Sequence, residues 1–115
     1  MASSFRDLVA YRLAASLADD VLIEVRSWPK LERWSVGMQL IRATGSVGAN
    51  IAEADGRWKT PDRRRLLVIA RGSLYEAEHW MLRAEEAGLL PAGASKRIDE
   101  IARTLNGLIK MPAPN

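Results

Sequence analysis

Apolar residues in the first quarter of the chain recur at alternating steps of three and four: Leu8, Tyr11, Ala15, Ala18, Leu22 and Val25. That seven-residue repeat predicts a helix over about 4–27 with these positions as its core seam. Ser4, with Asp7 three residues on, resembles a capping box at its start, and Pro29 stops it. Trp28 and Trp34 fall in the connection and are expected to cap the end of a bundle. A second helix over about 32–55 presents Val36, Leu40, Ala43, Val47 and Ile51 on one face. Thr60–Pro61 reads as an N-cap followed by proline at the first helical position, opening a third helix over about 61–87 that Gly88 ends. Its expected core face is Leu66, Ile69, Ala70, Ser73, Leu74, Ala77, Trp80, Met81 and Ala84. A last helix over about 95–110 places Ile98, Ile101, Ala102, Leu105 and Leu108 inward, and Pro112 and Pro114 make a short tail. Short connections imply antiparallel neighbours. The expectation is an all-α, up-down-up-down four-helix bundle in which residues 1–115 form one domain.

Two features of the pattern exceed what a lone bundle needs. Val68, Tyr75 and Leu82 stand seven apart on the third helix, away from its core face, and suggest a seam between subunits of an oligomer. On one flank of the second helix lie Gly45, Gly48, Ala49 and Ala52, where a neighbouring helix could approach closely. Glycine inside a helix costs about 1 kcal/mol relative to alanine, so close packing is the natural compensation.

The other flank of that helix is polar. Gln39, Arg42, Ser46, Asn50 and Glu53, followed by Arg57, are spaced three or four apart and share one strip beside the apolar face. Such a row invites comparison with an active site, but buried polar groups need partners, and a network of this kind more often fixes packing register. It is read here as a structural network.

Composition narrows the chemistry. The 115 residues contain no cysteine, which excludes disulfides, thiolate catalysis and cysteine-ligated metals. With a single histidine, nucleophilic catalysis is poorly served. Glu76-x-x-His79 has the spacing of a di-iron ligand pair, yet that site requires two such units and two further carboxylates. The adjacent acids Asp19–Asp20 and Glu85–Glu86 are expected to face solvent in different directions and make no catalytic dyad. No phosphate-binding glycine loop is present. No catalytic residue, cofactor or metal is expected. No apolar run approaches the roughly 20 residues that cross a bilayer, and nothing resembles a secretion signal. A cytoplasmic protein without a membrane partner is the expectation.

Charge directs attention elsewhere. The formal net charge is only +3, but Arg57, Lys59, Arg63, Arg64, Arg65 and Arg71 face one acid, Asp62, between positions 57 and 71, a local net of +5. Three consecutive arginines in the first turn of a helix oppose its dipole, and an anionic partner would relieve this. These six residues are the candidate nucleic-acid contacts. The competing reading is a solvated helix terminus.

The row Gln39-x-x-Arg42-Ala43-x-x-Ser46-Val47-x-x-Asn50-Ile51-Ala52-Glu53 resembles the signature of the 23S rRNA intervening-sequence protein family. Ala70-x-Gly72-Ser73-x-x-Glu76, with Glu78 close by, is similar to that family's second motif, and Phe5-Arg6-Asp7-Leu8 to its opening. The chain departs from the pattern at Ala54, where the family usually has glycine. The resemblance implies a four-helix bundle assembling into a ring, typically a pentamer. It also implies kinship with accessory variability proteins of diversity-generating retroelements, which bind nucleic acid through basic surfaces and partner a reverse transcriptase. It implies no catalytic residues. Two functions are therefore expected to compete: an oligomeric accessory protein that binds RNA or DNA, and an adaptor oligomer whose main partner is another protein.

Overall fold

The computed structural model describes residues 4–112, so Pro114 lies outside the described residues. Within them the chain forms four principal helices and no strand: α1 (Val9–Val25), α2 (Met38–Asp55), α3 (Thr60–Glu86) and α4 (Arg97–Lys110). They pack into a rod of 48 × 20 × 19 Å. α2 lies against α1 and α3, and α4 against α3 and α1.

Each boundary has a local cause. Ser4 Oγ accepts the Arg6 N–H at 3.2 Å, and the Asp7 carboxylate accepts the Ser4 N–H at 3.4 Å. This capping box closes only a 3₁₀ turn, Phe5–Asp7, because Leu8 is extended and α1 begins after it. α2 is preceded by a short α turn, Lys30–Glu32, and a π turn, Arg33–Gly37. Gly37 sits where a Cβ would come within 2.6 Å of Val25 Cγ1, so α1 and the π turn meet there with no room for a side chain. α3 ends in a Schellman closure. The Leu89 N–H reaches the Ala84 carbonyl at 2.9 Å and the Gly88 N–H reaches Glu85 at 3.0 Å. Gly88 takes the left-handed φ of +75° that this geometry requires.

The core runs the length of the rod. It contains Leu17, Val21 and Val25 of α1, Leu40, Val47 and Ile51 of α2, Leu67, Leu74 and Met81 of α3, and Ile98, Ile101 and Leu105 of α4. The expected face of α1 is rotated, and that of α3 holds except at Leu67 and Ile69. In α1 the buried row is Ala10, Ala14, Leu17, Val21 and Val25, while Tyr11, Ala15 and Ala18 are only partly covered and Leu22 is exposed. In α3 Leu67 is buried and Ile69 points outward. Both corrections have one cause: these segments are apolar on adjacent faces, and neighbouring helices select the face. Trp28 closes one end of the core, whereas Trp34 is 63% exposed and caps nothing.

Rotating α1 exposes a groove. Tyr11, Ala15 and Ala18 face Gly45, Gly48, Ala49 and Ala52 across an open trough of about 330 Å³ between α1 and α2. A Cβ on Gly48 would meet Tyr11 at an ordinary 3.6 Å, and one on Gly45 would meet nothing within 4 Å. The small residues therefore serve no close approach of helices within the subunit.

Candidate nucleic-acid interface and polar seam

The polar strip of α2 lies along its junction with α3 and divides into separate groups. Arg42 donates to Gln39 Oε1 at 2.9 Å and pairs with Glu76 of α3. Glu76 also accepts the Trp80 indole N–H at 3.2 Å. That hydrogen bond first, and then the one from Arg42, holds the Glu76 carboxyl below its ordinary pKa. In the middle of the helix the Ser46 and Ser73 hydroxyls share a hydrogen bond of 2.9 Å. Asn50 donates to the Ser46 carbonyl at 2.8 Å and to its hydroxyl at 3.0 Å. Toward the end of α2, Arg57 pairs with Glu53 at 2.8 Å. Two of these groups cross-link α2 to α3, Arg42–Glu76 and Ser46–Ser73, while the Asn50–Ser46 and Arg57–Glu53 contacts stay within α2 and its C-terminal turn. Glu76 is occupied by an arginine and an indole. Among the described residues no three His, Cys, Asp or Glu side chains gather into a metal-binding group.

The six candidate phosphate contacts surround the α2–α3 turn and do not act as one surface. Arg63 is buried, with its side chain 6% exposed and 3.4 Å from Asp55, itself a quarter exposed. It is a correction to the expected interface: an arginine enclosed between helices cannot reach a phosphate in solvent. Arg64 donates to the carbonyls of Ile109 and Lys110 at 3.0 and 3.2 Å, satisfying the open end of α4. Arg71 donates to Asn106 Oδ1 at 2.9 Å and ties α3 to α4. These three residues knit the rod together, which accounts for two of the three consecutive arginines at the start of α3. The exposed side chains of Lys59 and Arg65 have no hydrogen-bond or ion-pair partner among the described residues, and that of Arg57 pairs with Glu53. Counting Glu53, Asp55 and Asp62 against the six basic residues lowers the local net to +3.

The turn also carries Trp58, which the helical pattern passes over because it belongs to no stripe. It is 91% exposed, between exposed Arg57 and Lys59. The available signal was compositional: an aromatic between two cations in a link too short to fold back.

Glu85 is a second correction. It does not simply face solvent; its two carboxylate oxygens accept the Gly93 and Ser95 N–H groups at 2.9 and 2.8 Å. The Ser95 hydroxyl and these backbone donors lower its pKa. Glu85 thereby pins the loop that leads into α4.

On α3, Val68, Tyr75 and Leu82 are 43%, 47% and 43% exposed, along the outward side predicted for them. Among the described residues no helix is long and apolar enough to cross a membrane.

The helical rod, with Arg42–Glu76 and Ser46–Ser73 bridging α2 and α3, defines a small all-α protein whose conspicuous polar row is engaged in hydrogen bonds and ion pairs within the chain. The family model for the 23S rRNA-intervening sequence protein matches residues 6–111, and the chain belongs to that family. No curated protein matches it. Among solved structures it is similar to a protein of unknown function from the S23 ribosomal protein family of Bacteroides thetaiotaomicron. The two are 21% identical, with a TM-score of 0.79 over 90% of this chain and 100% of that one. At that identity the likeness is one of fold. The two family motifs meet in space here, since Arg42 and Ser46 of the first contact Glu76 and Ser73 of the second.

Proposed function

We propose that this chain is the repeating unit of a homo-oligomer that binds nucleic acid through the α2–α3 turn and carries out no catalysis. The observation that carries the reading is the pair Lys59 and Arg65, exposed and unpartnered among the described residues, beside Arg57 at one end of the rod. Cations left without intramolecular partners are available to phosphates, and an oligomer multiplies them.

The four helices are read as an antiparallel up-down bundle. In support, residues rising along α2 meet residues falling along α3: Arg42 with Glu76, Ser46 with Ser73, and Asp55 with Arg63. Arg64 and Arg71 meet α4 at Lys110 and Asn106 in the same descending order. Assembly into a ring, with five subunits as the family likeness implies, needs two different complementary surfaces. Val68, Tyr75 and Leu82 of α3 offer protruding side chains, and the Gly45–Ala49 trough between α1 and α2 offers space. The absence of catalysis is supported by the polar row, whose members engage one another.

A second reading, an adaptor in the cytoplasm for a protein such as a reverse transcriptase, is favoured by those same apolar surfaces should they meet a different partner. The test is a native mass measurement followed by binding of RNA and DNA oligonucleotides at low salt. Loss of binding in Lys59→Glu/Arg65→Glu with the mass unchanged supports the nucleic-acid function. Full binding by that variant, or none by the wild type, refutes it.

A further inference from the structure

We infer that Trp58 is a stacking platform for an unpaired base, so that the α2–α3 turn selects single-stranded over duplex nucleic acid. This rests on the nucleic-acid reading above and adds the form of the ligand. The four tryptophans have different fates. Trp28 is 5% exposed in the core, and Trp80 is partly covered with its N–H on Glu76. Trp34 is exposed at the other end of the rod, beside Leu22 and Met38 along a continuation of the α1–α2 trough. Trp58 is the most exposed large apolar side chain among the described residues, at 91%, and has no ring contact there.

Its neighbours identify the partner chemistry. Gly56 ends α2, its N–H bonded to the Glu53 carbonyl at 3.1 Å, and Arg57 closes on the Ala54 carbonyl at 3.0 Å. Lys59 is extended, with φ −88° and ψ 133°, before α3 begins. The indole therefore stands out from a short link anchored at both ends by helices, followed by exposed Lys59 and preceded by Arg57, which is exposed and paired with Glu53 at 2.8 Å. An apolar planar surface flanked by positive charge complements a ligand that is itself planar and flanked by negative charge. An unpaired nucleotide has that form: its base stacks on the ring, and its phosphates meet Arg57 and Lys59. In duplex the base faces are already stacked on one another, so the ring gains nothing there and only the cations contribute.

The experiment titrates the full chain with a fluorescently labelled oligothymidylate, a blunt DNA duplex of equal length, and phosphatidylserine vesicles. It compares wild type, Trp58→Ala and Trp58→Phe, with native mass and circular dichroism recorded for each. The expected result is that Trp58→Ala weakens single-strand binding roughly 10- to 100-fold. Duplex binding, native mass and helicity stay unchanged, and Trp58→Phe retains most of the affinity. Equal single-strand affinity in wild type and Trp58→Ala overturns the stacking role while leaving the nucleic-acid function standing. A changed native mass in Trp58→Ala assigns the ring to a subunit interface instead. Wild-type binding to vesicles with none to either nucleic acid overturns both readings.

Discussion

Replacing Arg63 separates the structural arginines from those free to meet a ligand. The Arg63 side chain is 6% exposed and its partner Asp55 is 25% exposed. Breaking a buried ion pair by removing one member costs about 3–5 kcal/mol, because the remaining charge is stranded. Asp55 retains some water, which relieves part of that cost, so Arg63→Ala should destabilise by about 2–3 kcal/mol. For a domain of this size each kcal/mol corresponds to roughly 4 °C in Tm, so the midpoint should fall by roughly 8–12 °C. Arg65→Ala, removing an exposed side chain, should stay within about 0.5 kcal/mol of wild type. Arg63→Met combined with Asp55→Asn removes both charges and should recover most of the loss. Thermal and urea melts followed by circular dichroism at pH 7 measure all four. If Arg63→Ala melts within about 2 °C of wild type, the pair is not a structural element and Arg63 returns to the candidate interface.

Three further outcomes follow from local geometry. Gly37→Ala places a methyl 2.6 Å from Val25 Cγ1 and should cost about 1–2 kcal/mol, overpacking outweighing the gain in helix propensity; in a Val25→Ala background that cost should shrink to the part set by the Glu32 carbonyl oxygen at 3.2 Å, as a double-mutant cycle in urea would show. Glu76 has a lowered folded-state pKa, so its contribution is present above its unfolded value near 4.5 and fades as pH falls through the folded value. Glu76→Gln should therefore lose up to about 1 kcal/mol at pH 7, the modest figure reflecting its partial exposure, and should differ less from wild type in acid; a constant difference across the acid limb of a pH–stability series would count against this. Tyr75→Glu introduces a charge on the outward seam of α3, and light scattering should record a smaller assembly with helicity intact; an unchanged mass removes that seam from the interface.

The sequence made the helices legible because their buried positions recur with the helical period and their ends carry proline and glycine. It could not choose among adjacent apolar stripes. In α1, the row through Tyr11, Ala15 and Ala18 and the row through Ala14, Leu17 and Val21 are both apolar, and only packing against α2 and α4 decides. Leu66 to Ile69 pose the same problem in α3, with Leu67 going inward. The polar row of α2 is legible as a run of polar positions but not in its division into separate groups, because the partners Ser73 and Glu76 lie on another helix. Arg63, Arg64 and Arg65 are equivalent in sequence. Asp55 takes the first, the carbonyls closing α4 take the second, and the third is left exposed, a distinction made entirely by tertiary contacts. The role of Glu85 is not legible for the same reason, since its Gly93 and Ser95 donors come from a segment whose path the helical pattern does not specify.

The salt dependence of single-strand binding tests the central claim most directly. If Lys59 and Arg65 neutralise phosphates, two contacts per engaged subunit give a slope of log K against log salt near roughly −1.4, multiplied by the number of subunits engaged, and Arg57 adds to it only by leaving Glu53. Lys59→Glu/Arg65→Glu should flatten that slope and weaken binding, with the native mass and Tm preserved. A slope near zero, or one that the double reversal leaves untouched, would contradict the assignment of this turn to nucleic acid.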